Sequence, residues 1–149
     1  MNGAHWHLLV NHLPIIFPVV GVITMFTGLI FKSDAVKRMA FLIFIIGALT
    51  AIPSMSTGEG AEETVEHIAG VTENLIENHE ETAETFAILS YILGGISLLG
   101  LWLSLKQNAF AKLCYIATLV FALVVIYFAR QTGATGGEII ENPILSNLK

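Results

Sequence analysis

An all-α fold of four transmembrane helices, arranged as two antiparallel hairpins, follows from three features of this sequence. It has four long segments without a charged residue, its charges fall into short blocks between them, and 54% of its 149 residues are hydrophobic against 13% charged. Soluble domains carry roughly a quarter charged residues and disperse them. The composition is therefore that of a membrane protein, and the length suits a single domain.

The charge-free segments are 8–31, 39–58, 85–105 and 113–129. A helix needs about 20 apolar residues to cross a hydrocarbon core about 30 Å thick, so each qualifies. Helices are the default spanning structure because hydrocarbon offers no partner to a free backbone amide. Residues 1–7 contain no basic residue, unlike the start of a signal peptide, so the first segment reads as a retained helix. Pro53 predicts a kink near the end of the second. Thr24 with Gly28, Ser90 with Gly94 and Gly100 with Ser104 place small residues four apart, a spacing that lets helices approach closely.

Between the first two segments lie Lys32, Asp34, Lys37 and Arg38, and between the last two lie Lys106 and Lys112. Five of the seven basic residues thus share one side. The positive-inside rule makes that side cytoplasmic and puts both termini outside. The expected location is a bacterial inner membrane, multi-pass, with both termini periplasmic. Eleven of the twelve acidic residues fall in 59–84 or at Glu138 and Glu141, all on the outer side. The 59–84 stretch is rich in Ala and Glu, so it predicts an outer helical hairpin continuing the membrane helices, with Gly70 as its break.

Landmarks recur at an offset of 74 or 75 residues: His5 and His79, Lys32 and Lys106, Arg38 and Lys112, Thr57-Gly58 and Thr132-Gly133. Two readings are open: a duplicated helical hairpin, or the chance match of turns that any two hairpins of similar length show.

All five histidines, His5, His7, His12, His67 and His79, lie on the outer side. With about 1.5 Å of rise per residue, His7, His67 and His79 come to nearly one level if the helices continue beyond the bilayer. His67 and His79 are equidistant from a turn centred on Glu73 and are placed to face each other. Glu63 and His67, four apart, share a helix face. Two chemistries follow. His7, His12 and His79 are candidate axial ligands of a non-covalent haem b, with His12 and His79 the preferred pair and His7 with His79 the alternative, since two histidines from different helices of a bundle can clamp the iron. Alternatively His7, Glu63, His67 and His79 hold a transition metal ion such as zinc or copper. For His5, Glu59, Glu62, Glu66, Glu73, Glu77, Glu80 and Glu81 the ordinary role is a solvated face. Arg130 is a candidate partner for a haem propionate, although a snorkelling anchor is the commoner role.

The stretch His7-Leu8-Leu9-Val10-Asn11-His12-Leu13-Pro14 resembles the H-P-x-x-V-H-x-P signature that opens the DUF2231 group of small bacterial membrane proteins. Ser56-Thr57-Gly58, His79 and Thr132-Gly133-Ala134-Thr135-Gly136-Gly137 are similar to its later motifs, so the resemblance covers nearly the whole chain. It implies a four-helix membrane module found beside cytochrome or Rieske-type redox domains, with haem suspected. Leu8 departs from the family proline, and Ala134 stands where relatives often carry a histidine.

Composition also excludes several classes. No basic patch supports nucleic-acid binding. A single cysteine, Cys114, rules out an internal disulfide, a thiolate cluster and covalent haem attachment. Gly133 to Gly137 lack the following Lys-Ser or Lys-Thr of a phosphate loop and are expected to end the fourth helix after Arg130. No charge lies in mid-membrane, which argues against a transporter. The function expected is a haem- or metal-binding membrane protein, an electron-transfer or redox-associated subunit. Its partners are the lipid bilayer, a redox protein or quinone, and further copies of the chain. A metal-dependent enzyme and an accessory subunit that docks a basic protein on its acidic face are the alternatives.

Overall fold

A computed structural model describes residues 3–68 and 70–146, with the side chains of residues 5–68 and 70–141. Those residues form helices only: α1 Gly3–Val10, α2 Leu13–Ile30, α3 Asp34–Ser56, α4 Gly58–Val65, α5 Glu73–Leu105 and α6 Ala111–Ser146. Four helical stretches are long and apolar enough to cross a membrane: His5–Ile30, Asp34–Ser56, Glu73–Leu105 and Ala111–Glu141. The long helices pack in a cycle, α2 on α3, α3 on α5, α5 on α6 and α6 on α2, while the short α1 rests on α4.

The exterior is apolar and several polar side chains are inside. Ile23, Phe26, Leu98, Trp102, Leu113 and Val120 are exposed, whereas Ser97, Ser104, Thr118 and Thr132 are buried. In water such a continuous apolar exterior would be an aggregation surface. The interior is closed by Met25, Phe41, Phe44, Leu93, Ala122 and Val125. Glycines make room for its rings: a side chain on Gly21 would strike Phe44, and one on Gly100 would strike Phe41. Of the small-residue pairs, Gly28, Gly94 and Gly100 do take close neighbours from another helix, Lys37, Ala48 and Phe41 respectively.

The two hairpin turns have one geometry, repeated 75 residues apart. Ser33 N–H donates to the Gly28 carbonyl and Asn108 N–H to that of Leu103, both at 3.0 Å. Lys32 N–H reaches Leu29 (3.3 Å) and Gln107 N–H reaches Ser104 (3.2 Å). These are paired Schellman caps. Their left-handed residues are Lys32 (φ 52°) and Gln107 (φ 53°) where glycine is usual. Each turn then restarts a helix with a side-chain cap, Ser33 Oγ accepting from Val36 N–H at 3.4 Å and Asn108 Oδ1 from Phe110 N–H at 2.9 Å.

The same end carries the basic residues and a polar staple between the halves. Arg38 Nε donates to Ser104 Oγ at 2.9 Å and Nη2 to the Ser104 carbonyl at 2.8 Å. Ser104 Oγ also meets the Tyr115 hydroxyl at 2.7 Å. Tyr115 stacks on Phe41 and lies under the Lys37 ammonium, 4.4 Å from its ring centre, while Lys37 pairs with Asp34 at 2.6 Å.

Three boundaries differ from expectation. The first span is broken at Asn11 and His12, because Pro14 sits in the first turn of α2, where a missing N–H costs nothing. The outer hairpin is not two matched helices: α4 ends at Val65, before His67, whereas α5 runs unbroken from Glu73. Gly70 takes φ 97° and turns the chain as predicted. Finally, the glycines after Arg130 do not end the fourth helix, since α6 continues to Ser146. Packing overrides propensity there, with Gly136 seated against the His79 ring of α5. Pro53 lies within the last turn of α3, which ends at Ser56.

Candidate functional site

At the end opposite the lysines, the α1–α2 break, the end of α3, α4, the start of α5 and the end of α6 enclose a cavity of about 510 Å³. That is the size range of small-molecule and cofactor sites. Its walls are mostly apolar, including Leu8, Ile15, Met55, Ile76, Phe86 and Ile139. His7, His12 and His79 all line it, as do Asn11, Glu59, Glu62, Glu80 and Glu84.

Each half contributes one oriented imidazole. His7 Nδ1 lies 3.1 Å from Thr57 Oγ1, and His79 Nδ1 lies 3.0 Å from Thr135 Oγ1. Each threonine hydroxyl also reaches a carbonyl of its own helix, Thr57 Oγ1 that of Pro53 (2.9 Å) or Ser54 (3.0 Å) and Thr135 Oγ1 that of Thr132 (3.1 Å). A hydroxyl that gives its proton to that carbonyl meets the ring as an acceptor. In that tautomer Nδ1 carries the imidazole proton and Nε2 keeps its lone pair, the arrangement that a hydrogen-bonded metal-ligating histidine uses.

Further hydroxyls support the second pair. Thr82 Oγ1 is 3.0 Å from Thr135 Oγ1, and Thr132 Oγ1 donates to the Thr82 carbonyl at 3.1 Å, joining the start of α5 to the end of α6. His7 and His79 are both partly buried, and the His79 ring is close enough to feel the charge of His7. His12 is exposed, with Nδ1 3.2 Å from the Leu8 carbonyl at the helix break.

The predicted metal set is not brought together. His67 has left the helix and is solvent-exposed beside Glu66, 3.5 Å away, so it does not face His79. Glu63 is exposed, and neither residue lines the cavity. Among the described residues no group of three or more His, Cys, Asp or Glu side chains is placed to hold a metal ion. Arg130 is exposed on α6 and is not part of the cavity lining. His5 is exposed on α1, and Cys114 is a partly buried free thiol.

Sequence reasoning missed Thr57 and Thr135 as partners of the histidines. Their signal was available, because the Thr-Gly pairs recur after the second and fourth spans, but nothing linear linked them to rings 50 and 56 residues earlier. Asn11, at the α1–α2 break, has its Oδ1 buried without a hydrogen-bond partner among the described residues.

No family model, curated protein or solved structure matches this chain. The DUF2231 resemblance therefore rests on the motifs quoted above.

Proposed function

We propose that this chain is a multi-pass membrane protein whose four spans form a bundle. In this reading His7 and His79 are the axial ligands of a haem b at the outer face, in a redox-associated setting. The supporting observation is the matched pair of imidazoles, one from each hairpin, with Nδ1 held by a threonine and both rings on one cavity. Two imidazoles are too few for a bare zinc or copper ion, which takes about four protein ligands or three and a water. They are the number that completes haem iron, because the porphyrin supplies the remaining nitrogens.

The residues fit the group in two respects. The imidazole donors suit iron, and the apolar walls suit the macrocycle. A bound haem would supply a one-electron couple, and the chain would supply orientation and exclusion of water. His12 is the weaker ligand candidate, being exposed and bonded to its own helix break.

Absorbance spectroscopy on the purified full chain, reconstituted with haemin in detergent micelles, tests the reading. A Soret band with sharp low-spin features on reduction is expected, lost in His7→Ala and His79→Ala and retained in His67→Ala. Absence of a Soret band after supplementation, or its survival in both of the first two variants, overturns the assignment.

A further inference from the structure

The end of the bundle formed by the two hairpin turns carries five basic residues and one acid, Asp34. Lys32 and Lys106 follow the last turns of α2 and α5, where the negative end of a helix macrodipole favours a cation. Lys37, Arg38 and Lys112 stand near the starts of α3 and α6, where the dipole opposes one. Local structure answers for two of these three. Lys37 pairs with Asp34 and lies over the Tyr115 ring, and Arg38 is held by Ser104. Lys112 is exposed, the first turn of α6 has no acidic residue, and no ion pair to Lys112 forms among the described residues.

The three cations converge nevertheless. Asp34 lies in the field of Lys37, Arg38 and Lys112 together. Tyr115 is three residues on from Lys112 and shares its face of α6, so the ring that carries Lys37 also brings Lys112 near. Arg38 commits Nε and Nη2 to Ser104, which leaves Nη1 for an outside acceptor. One carboxylate among three cations leaves the cluster suited to a further anion. Exposed Phe31, Trp102 and Phe110 lie beside the same turns. Aromatic rings in that position mark the headgroup layer of a bilayer, the depth of the lipid phosphates.

Resting on the membrane part of the reading above, we propose that the starts of α3 and α6 seat the phosphate of an anionic phospholipid, with Lys112 and Arg38 as its contacts. Asp34 holds Lys37 beside them. The chain then prefers phosphatidylglycerol to phosphatidylcholine, at a defined place and not through diffuse charge.

Native mass spectrometry of the full chain, released from micelles doped equally with the two lipids, tests the seat. Phosphatidylglycerol should be retained about fivefold over phosphatidylcholine, the order expected of one well-placed cation. Lys112→Gln should abolish most of that preference, whereas Lys32→Gln removes the same charge and should leave it. Equal retention of the two lipids by wild type overturns the seat without need of any variant, and equal loss from both substitutions reduces it to diffuse charge. Thermal stabilisation by inorganic phosphate as large as that by phosphatidylglycerol assigns the cluster to a soluble anion and overturns the lipid. A chain that alkaline carbonate washes off membranes overturns the membrane reading and the inference together. One that stays in the membrane yet shows no lipid preference loses the seat alone.

Discussion

The His79 ring lies on Gly136: a Cβ at that position would stand 3.0 Å from the ring's Cε1 and 3.4 Å from Nδ1. The glycine is thus part of how α6 receives the imidazole and presents Thr135 to it. Gly136→Ala should displace the ring by a few tenths of an ångström and lower haem affinity about tenfold, while the helix itself gains up to about 1 kcal/mol of propensity. Gly95 of α5, with open space around it and away from the cavity lining, is the control. Haem titration combined with thermal unfolding of both variants separates the two effects, and equal affinities for the two would remove Gly136 from the site.

The threonine hydroxyls are the side-chain partners of the two Nδ1 atoms. Thr57→Val and Thr135→Val keep volume but delete the acceptor for Nδ1–H, and loss of such a partner typically costs 10–100-fold in metal affinity. Serine at either position keeps the hydroxyl and should restore most of the binding. A valine variant that binds haem as tightly as the serine variant would show that the hydrogen bonds do not orient the ligands.

Much of this architecture was legible in the sequence for a physical reason: spans are set by the absence of charge over a fixed length, which is a linear property. The Lys32 and Gln107 turns, Gly70 and the continuation of α5 outward follow from the same kind of local evidence. The failures were three-dimensional. Gly133 to Gly137 read as a helix end, but the contact of Gly136 with His79 keeps α6 going. His67 looked equivalent to His79 by distance from Glu73, yet α4 stops at Val65 and releases it into solvent. Of the predicted haem residues, His7, His12 and His79 do converge on one cavity, whereas Arg130 does not. The threonine partners are set by contacts between different helices, which no periodicity encodes.

Arg38 joins the two halves through bonds to both the hydroxyl and the carbonyl of Ser104. Hydrogen bonds from a charged donor are worth about 1.5–3 kcal/mol where partly buried. Arg38→Ala should therefore destabilise the fold by about 2–4 kcal/mol, since it removes both bonds at once. Arg38→Lys keeps the charge but loses the fork and should recover less than half. Unfolding curves in micelles measure both, and a loss below about 0.5 kcal/mol for the alanine variant would contradict the staple.

Ser97 and Thr118 pose the opposite case. Both are fully buried, at 0% exposure, and their hydroxyls have no partner among the described residues. A buried hydroxyl left unpaired carries a desolvation penalty of about 1–3 kcal/mol. Ser97→Ala and Thr118→Val should accordingly be neutral or stabilising by up to about 1 kcal/mol, unlike most core changes. Clear destabilisation of either variant would mean that the hydroxyl has a partner in the working protein.

The proposed orientation rests on the basic turns facing the cytoplasm and the histidine cavity facing out. Cys114 is the only cysteine of the chain, so a Cys114→Ser background leaves room for single reporters. His67 and Gln107 are exposed at opposite ends of the helices and are suited to the purpose. In intact bacterial spheroplasts a membrane-impermeant maleimide should label His67→Cys and spare Gln107→Cys until the membrane is opened. Charge alone sets this expectation: Lys32, Lys37, Arg38, Lys106 and Lys112 would have to be carried across the bilayer in the reverse topology, which the positive-inside rule disfavours. Labelling of Gln107→Cys in sealed cells would invert the proposed orientation and place the histidine-lined cavity in the cytoplasm.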